Sequence, residues 1–188
     1  MRIIGGALKN KKLNYIKNIN TRPLRDYVRE NVFNILEHSK KMNVILKDSI
    51  VFDLFSGVGS FGLECLSRGS KKTIFVENDK NAINILNENI DNLRLINKYF
   101  IEENDVIKFL ENHSLNLKAN IVFLDPPYKE NRIKKILSGL INSSLINTKT
   151  LIIIHREKNS NDSELQNFVV VKIKYYGRSK IIFGNLSF

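Results

Sequence analysis

From residue 50 onward, short unbroken apolar runs alternate with longer segments of helical period, and this alternation leaves few folds open. Strands that read as continuous apolar runs are buried on both faces. When they alternate with helical segments, they build a parallel sheet covered by helices on both sides. The runs predict strands at about Ile50–Phe55, Thr73–Glu77, Lys98–Ile101, Asn120–Asp125 and Thr150–His155. Helices are expected near Gly59–Arg68, Lys80–Asn92, Val106–Asn112 and Asn131–Asn142. The last stretch changes character. Phe168–Tyr175 and Lys180–Phe188 are β-rich, and Tyr176-Gly177-Arg178-Ser179 between them has turn chemistry with no room for a helix, so a terminal antiparallel hairpin is predicted. A length of 188 residues with 43% hydrophobic content is enough for one main domain with a sizeable core.

Before this repeat lies a basic unit, expected over 1–40, ahead of the main domain over 41–188. Residues 1–30 carry eight basic side chains against two acids, in a chain whose formal net charge is +11. Such a field steers polyanions and releases their counterions on binding. An amphipathic helix begins near Leu24, after Pro23, with Val28, Val32, Phe33, Ile35 and Leu36 as its apolar stripe. It is expected to dock on the sheet with Arg25 and Arg29 facing outward. Arg2, Lys9, Lys11, Arg22, Arg25 and Arg29 are the candidate contacts to nucleic acid; the plainer reading is a solvated helix face. The single cysteine, Cys65, excludes an intramolecular disulfide and a cysteine-built metal site, and three scattered histidines give a metal centre little support. No apolar run approaches membrane-spanning length and no signal-peptide stretch opens the chain, so a cytosolic protein is expected.

Asp53-Leu54-Phe55-Ser56-Gly57-Val58-Gly59-Ser60-Phe61-Gly62 takes a buried strand through a glycine turn directly into a helix. Backbone there can approach a ligand closely, and the first N–H groups of the helix point toward it. Gly57-x-Gly59-x-x-Gly62 also matches the dinucleotide fingerprint, so the turn alone does not separate NAD from S-adenosylmethionine (SAM). Glu77 ends the second strand twenty positions beyond Gly57. Its carboxylate can accept ribose hydroxyls, or serve as a helix-terminal charge. Asp105 is placed either to meet an adenine amino group or to cap the helix from Val106. Asp53, Phe55, Gly57, Gly59, Glu77, Asn78 and Asp105 make up the expected cofactor site.

Asp125-Pro126-Pro127-Tyr128 follows the fourth strand and discriminates between the cofactors. Consecutive prolines fix φ and lack N–H groups, leaving a rigid turn that presents carbonyls at the carboxyl edge of the sheet. An exocyclic base amine is a poor nucleophile because its lone pair is delocalised into the ring. A carboxylate oxygen and a proline carbonyl accepting its two hydrogens localise that lone pair and stabilise the developing charge. Tyr128 offers a surface on which an unstacked base can lie. Asp125, Pro126, Pro127 and Tyr128 are therefore the candidate catalytic residues, with SAM as methyl donor, S-adenosylhomocysteine as product and no metal required. His155 has no proton to move in this scheme and reads as structural, Cys65 reads as a small core residue, and Tyr175 and Tyr176 as sheet-packing side chains. The expected fold is α/β: a doubly wound, Rossmann-like, seven-stranded sheet of the SAM-dependent methyltransferase type, with the C-terminal hairpin and a small basic N-terminal extension.

With these residues in place, the chain resembles the RsmD family of bacterial methyltransferases. The resemblance rests on Arg2-Ile3-Ile4-Gly5-Gly6, Thr21-Arg22-Pro23, Val28-Arg29-Glu30, Phe33-Asn34-Ile35-Leu36, Asp53 to Gly62, Leu66-Ser67-Arg68-Gly69, Glu77, Asp125 to Tyr128 and Tyr176-Gly177-Arg178. It implies methyl transfer to guanine N2 in 16S ribosomal RNA, with the N-terminal unit gripping the RNA. The expected setting is the small ribosomal subunit, with the enzyme acting as a monomer away from any membrane. Leu24, Tyr27 and His155 depart from the family's usual Thr, Arg and acid. The rivals are adenine-N6 DNA or protein-glutamine methylation by the same amine chemistry, a NAD-dependent oxidoreductase, and a non-catalytic RNA-binding protein. Against sequence-specific DNA methylation, little of the chain is left over for a target-recognition domain.

Overall fold

The computed structural model describes residues 1–15, 26–42, 44–127, 132–161 and 165–188. Apolar runs become strands where the alternation demands it: β1 (Ile50–Leu54), β2 (Lys72–Glu77), β3 (Tyr99–Glu103), β4 (Ile121–Leu124) and β5 (Leu151–Glu157). Between them lie α2 (Ser60–Ser67), α3 (Lys80–Asn92), α4 (Val106–Asn112) and α5 (Ile133–Asn142), preceded by α1 (Asp26–His38) and a short 3-10 turn at Lys40–Met42. The chain closes with β6 (Phe168–Tyr176) and β7 (Ser179–Leu186). The seven strands form one sheet in the order β3-β2-β1-β4-β5-β7-β6, parallel through β5 and antiparallel at the hairpin.

Alternating side chains divide the core. Phe52, Leu54, Val122, Leu124, Ile152 and Ile154 face α4 and α5, and Val51, Ile121, Phe123, Leu151 and Ile153 face α1 and α2. On the second face Phe33, Phe61 and Phe123 stack in sequence, with ring centroids 5.1 and 3.9 Å apart. Helix α1 docks as expected through Val28, Val32, Phe33 and Leu36. Gly62 is required by close approach, because a Cβ there would run into Phe75 and Thr73 of β2. The expected helix start at Leu24 and the first residue of the expected Asn131–Asn142 helix lie outside the described residues.

One expectation fails. Arg29 does not face outward; it is fully buried, because it lies on the apolar stripe itself, about one turn from Phe33 and two from Leu36. A guanidinium in that position needs internal partners. It donates to the Arg2 carbonyl, pairs with Asp26 at 3.0 Å and lies 3.9 Å from the buried Glu64 carboxylate. Burial pulls its pKa below the ordinary arginine value, although Asp26 and Glu64 oppose the shift. Buried in this way, Arg29 has no surface to offer to RNA.

Glu64 also receives the N–H groups of Ile4 and Gly5, each at 2.7 Å, and the Arg68 Nε at 2.7 Å. The N-terminal segment is thereby bonded to α2, and Ile3 and Leu13 bury against Leu63, Leu66, Phe75, Leu86 and Ile90. At its far end Asn89 accepts from the Asn14 N–H and donates to the Asn14 and Val58 carbonyls, which ties this segment to the glycine turn.

Candidate active site

In an open α/β sheet, ligands bind at the carboxyl edge where the strand order reverses. Here the reversal falls between β1 and β4. The glycine turn leaves β1 at that point and Asp125-Pro126-Pro127 leaves β4, so the two motifs stand side by side. Leu54 and Leu124 are register partners, and the Asp125 N–H approaches the Leu54 carbonyl at 3.4 Å.

The turn after β1 is shaped by positive φ angles at Phe55 (63°), Gly57 (54°) and Gly59 (81°). At Gly57 an added Cβ would meet nothing within 4 Å, so the backbone there borders open space. Asp53 is buried beneath the turn and accepts from the Gly62 N–H at 2.9 Å, which fixes the first turn of α2 against β1. Burial pushes its carboxyl pKa well up, against the Gly62 hydrogen bond; the nearby Asp125 and Glu77 charges push the same way. Asp53 therefore shapes the cofactor turn from below.

Glu77 stands at the end of β2 as predicted and binds the turn directly. Its Oε2 accepts from the Gly57 N–H at 2.8 Å, and its Oε1 accepts from Asn78 and Asp79 N–H groups at 2.9 Å each. A carboxylate has about four acceptor positions, so one on Oε2 stays open beside Gly57. Asn78 is exposed at the same edge. Asp105 caps α4 through the Ile107 N–H at 2.9 Å and pairs with Arg132 at 3.1 Å. Burial raises its pKa, but the Arg132 and backbone hydrogen bonds outweigh that and hold the carboxyl below its ordinary range. Of the two sequence readings of Asp105, the cap is present in the geometry.

The fit to SAM can be judged from these groups. A bare, left-handed glycine backbone beside open space admits a ligand, and the open Glu77 acceptor suits a ribose hydroxyl. Two acids at this edge, Glu77 and Asp125, set a negative environment that suits a sulfonium. Among the described residues, no group of three or more His, Cys, Asp or Glu side chains is placed to hold a metal ion.

Asp125 is partly exposed at this edge of the sheet, Pro126 is half-buried and Pro127 exposed; Tyr128 lies outside the described residues. The partner of Asp125 was missed from sequence: His155 Nδ1 stands 2.7 Å from its Oδ1. The signal was available. Ile121–Leu124 and Leu151–Ile154 pair residue for residue, so the polar residue following each run must reach the sheet edge at the same level. Of the proposed RNA contacts, Arg2, Lys9 and Lys11 have exposed side chains, while Arg22 and Arg25 lie outside the described residues. Tyr27, exposed on α1, meets Tyr176 edge to face with centroids 6.0 Å apart, and burial followed by the neighbouring Tyr27 raises the Tyr176 pKa.

A seven-stranded sheet of this order, with a glycine turn and an acid-Pro-Pro corner at the switch point, defines the Rossmann-like methyltransferase class. The solved structures agree. A putative methyltransferase from Escherichia coli superposes with a TM-score of 0.84 at 26% identity, covering 100% of this chain and 98% of that one. A putative methylase from Haemophilus influenzae gives 0.77 at 30% identity, covering 99% and 98%. Residues 1–185 match the family described as Conserved hypothetical protein 95. The ribosomal RNA small subunit methyltransferase D of Buchnera aphidicola is 33% identical over 161 residues, 86% of this chain and 78% of that protein. The chain belongs to this family, the RsmD family of methyltransferases.

Proposed function

We propose that this enzyme methylates the exocyclic N2 of a guanine in 16S ribosomal RNA, using SAM and working on the small ribosomal subunit as a cytoplasmic monomer. The observation that carries the reading is the juxtaposition of the Asp125-Pro126-Pro127 corner with the Gly57 turn at one switch point. SAM, when bound, supplies an activated methyl group on a sulfonium. Glu77, Asn78 and the Phe55–Gly59 backbone would hold its nucleoside end, with Asp105 at the adenine side. The Asp125 carboxylate and the Pro126 carbonyl accept the two amine hydrogens, turning the nitrogen lone pair toward the methyl carbon. Those acceptors stabilise the positive charge that develops on nitrogen, and Asp125 is placed to take the proton released afterwards. Tyr128, as the next residue of the corner, is assigned to stacking with the base.

RNA recognition is assigned to the basic N-terminal unit: Arg2, Lys9 and Lys11 from their exposure, Arg22 and Arg25 from the sequence. Reversing the charge at Lys9 and Lys11 together is expected to weaken RNA binding and flatten its salt dependence while leaving SAM affinity alone. Filter binding across a salt series measures this, and an unchanged slope removes these lysines from the interface. The function itself is tested by incubating the enzyme and SAM with small subunits from a strain deleted for the gene, then digesting the RNA for nucleoside mass spectrometry. N2-methylguanosine is the expected product. Methyl groups on adenine, on protein or on DNA instead would replace this reading with one of the rival amine methylations.

A further inference from the structure

We propose that His155 is the positioning residue for Asp125, its imidazole holding one carboxylate oxygen so that the other is presented to the base amine. The inference rests on the functional reading above and names a residue it does not use. Its physical basis is the pair of prolines. An aspartate at the start of a loop ordinarily fixes its carboxylate on the N–H groups one to three residues ahead. Asp79 does so with Asn81 and Ala82, and Asp105 with Ile107. Asp125 is followed by Pro126 and Pro127, neither of which has an N–H to give. Its carboxylate is therefore denied the first two of these donors, and a donor from outside the loop becomes the more valuable.

Such a donor is His155, whose Nδ1 lies 2.7 Å from Asp125 Oδ1. The imidazole is set firmly. It stands on β5 between β4 and β7, directly after Ile154, which pairs with Leu124, and opposite Ile181. Its side chain is 10% exposed, against 25% for Asp125. The more buried member of the pair thus anchors the more exposed one. An ionised carboxylate only accepts, so this positioning role requires the proton on His155 Nδ1. With Oδ1 held, Oδ2 can no longer exchange places with it by rotation of the carboxylate.

Replacing His155 with Leu is expected to lower kcat for methyl transfer about 10- to 100-fold, the cost of a misplaced reacting group, with KM for RNA and affinity for SAM unchanged. His155→Asn puts an amide nitrogen near the Nδ1 position and is expected to recover most of the rate, whereas His155→Gln displaces the donor and is not. In an Asp125→Asn background, His155→Leu should cost little further, because the two act as one unit. Nitrogen-15 spectra of the unmodified enzyme should find His155 protonated at Nδ1, with that preference lost in Asp125→Ala.

Wild-type kcat in His155→Leu, equal rates for the Asn and Gln variants, full additivity with Asp125→Asn, or a proton on Nε2 alone would each overturn the proposal. If His155→Leu does not fold, the Asn and Gln pair and the spectrum decide. An unmodified enzyme that methylates guanine N2 while His155→Leu matches it refutes the positioning role and leaves the function standing. An enzyme that methylates another amine refutes the function, and the variant rates on that substrate still judge His155.

Discussion

Asp125→Ala is expected to lower kcat for methyl transfer by about 100- to 1,000-fold, the range seen when one preorganised charge-stabilising group is removed from an active site. SAM binding should be nearly unchanged, because the groups assigned to the nucleoside, namely the glycine turn, Glu77, Asn78 and Asp105, stand at the ends of β1, β2 and β3, outside the corner after β4. Pro126 still offers its carbonyl in the variant, so residual transfer above background is expected. Single-turnover methyl transfer together with calorimetric titration of SAM measures the two quantities separately. A variant that retains full activity would remove Asp125 from the chemistry. One that loses SAM binding as well would make it a cofactor ligand.

The second large effect is on stability. Glu64 is fully buried and takes Ile4 N–H, Gly5 N–H and Arg68 Nε, with the buried Arg29 3.9 Å away. Glu64→Ala removes all these acceptors at once and strips Arg29 of its buried counter-charge, although Asp26 and the Arg2 carbonyl remain. Breaking a buried pair in this way costs about 3–5 kcal/mol. For a chain of this size that is a fall in Tm on the order of 10 °C. Limited proteolysis should find the first residues released while the sheet persists, since they are bonded to α2 through this carboxylate. Glu64→Gln, which keeps an acceptor oxygen but loses the charge, should fall between. Thermal unfolding of the three proteins is the check, and a change below about 1 kcal/mol in Glu64→Ala would show that the cluster is dispensable.

Much of this was legible in the sequence because the signals were local. The apolar runs Ile121–Leu124 and Leu151–Ile154 are strands of the sheet, and the turn from Phe55 to Gly59 needs positive φ at its glycines. Glu77 reaches the turn because the end of β2 lies beside the end of β1. Arg29 was misread because its charge was weighed above its position. Its spacing from Phe33 and Leu36 places it on the buried stripe, but the Glu64 that balances it comes from a distant helix and no periodicity announces the pairing. His155 was read as structural because the chemistry gives it no proton to carry. What the strand register adds is adjacency, which turns a packing residue into the side-chain partner of Asp125. Asp105 carried two compatible signals, and the cap with its Arg132 pair is the one the geometry makes visible.

The central claim is that the corner after β4 turns a base amine toward a methyl donor lying across the glycine turn. A crystal structure with a non-reactive SAM analogue and a guanine nucleotide tests it most directly. The account predicts the guanine amine between Asp125 Oδ2 and the Pro126 carbonyl, with its nitrogen about 3–3.5 Å from the position of the transferable group. A nucleotide bound with its amine turned away from that corner, or an analogue seated elsewhere than on Gly57 and Glu77, would contradict it.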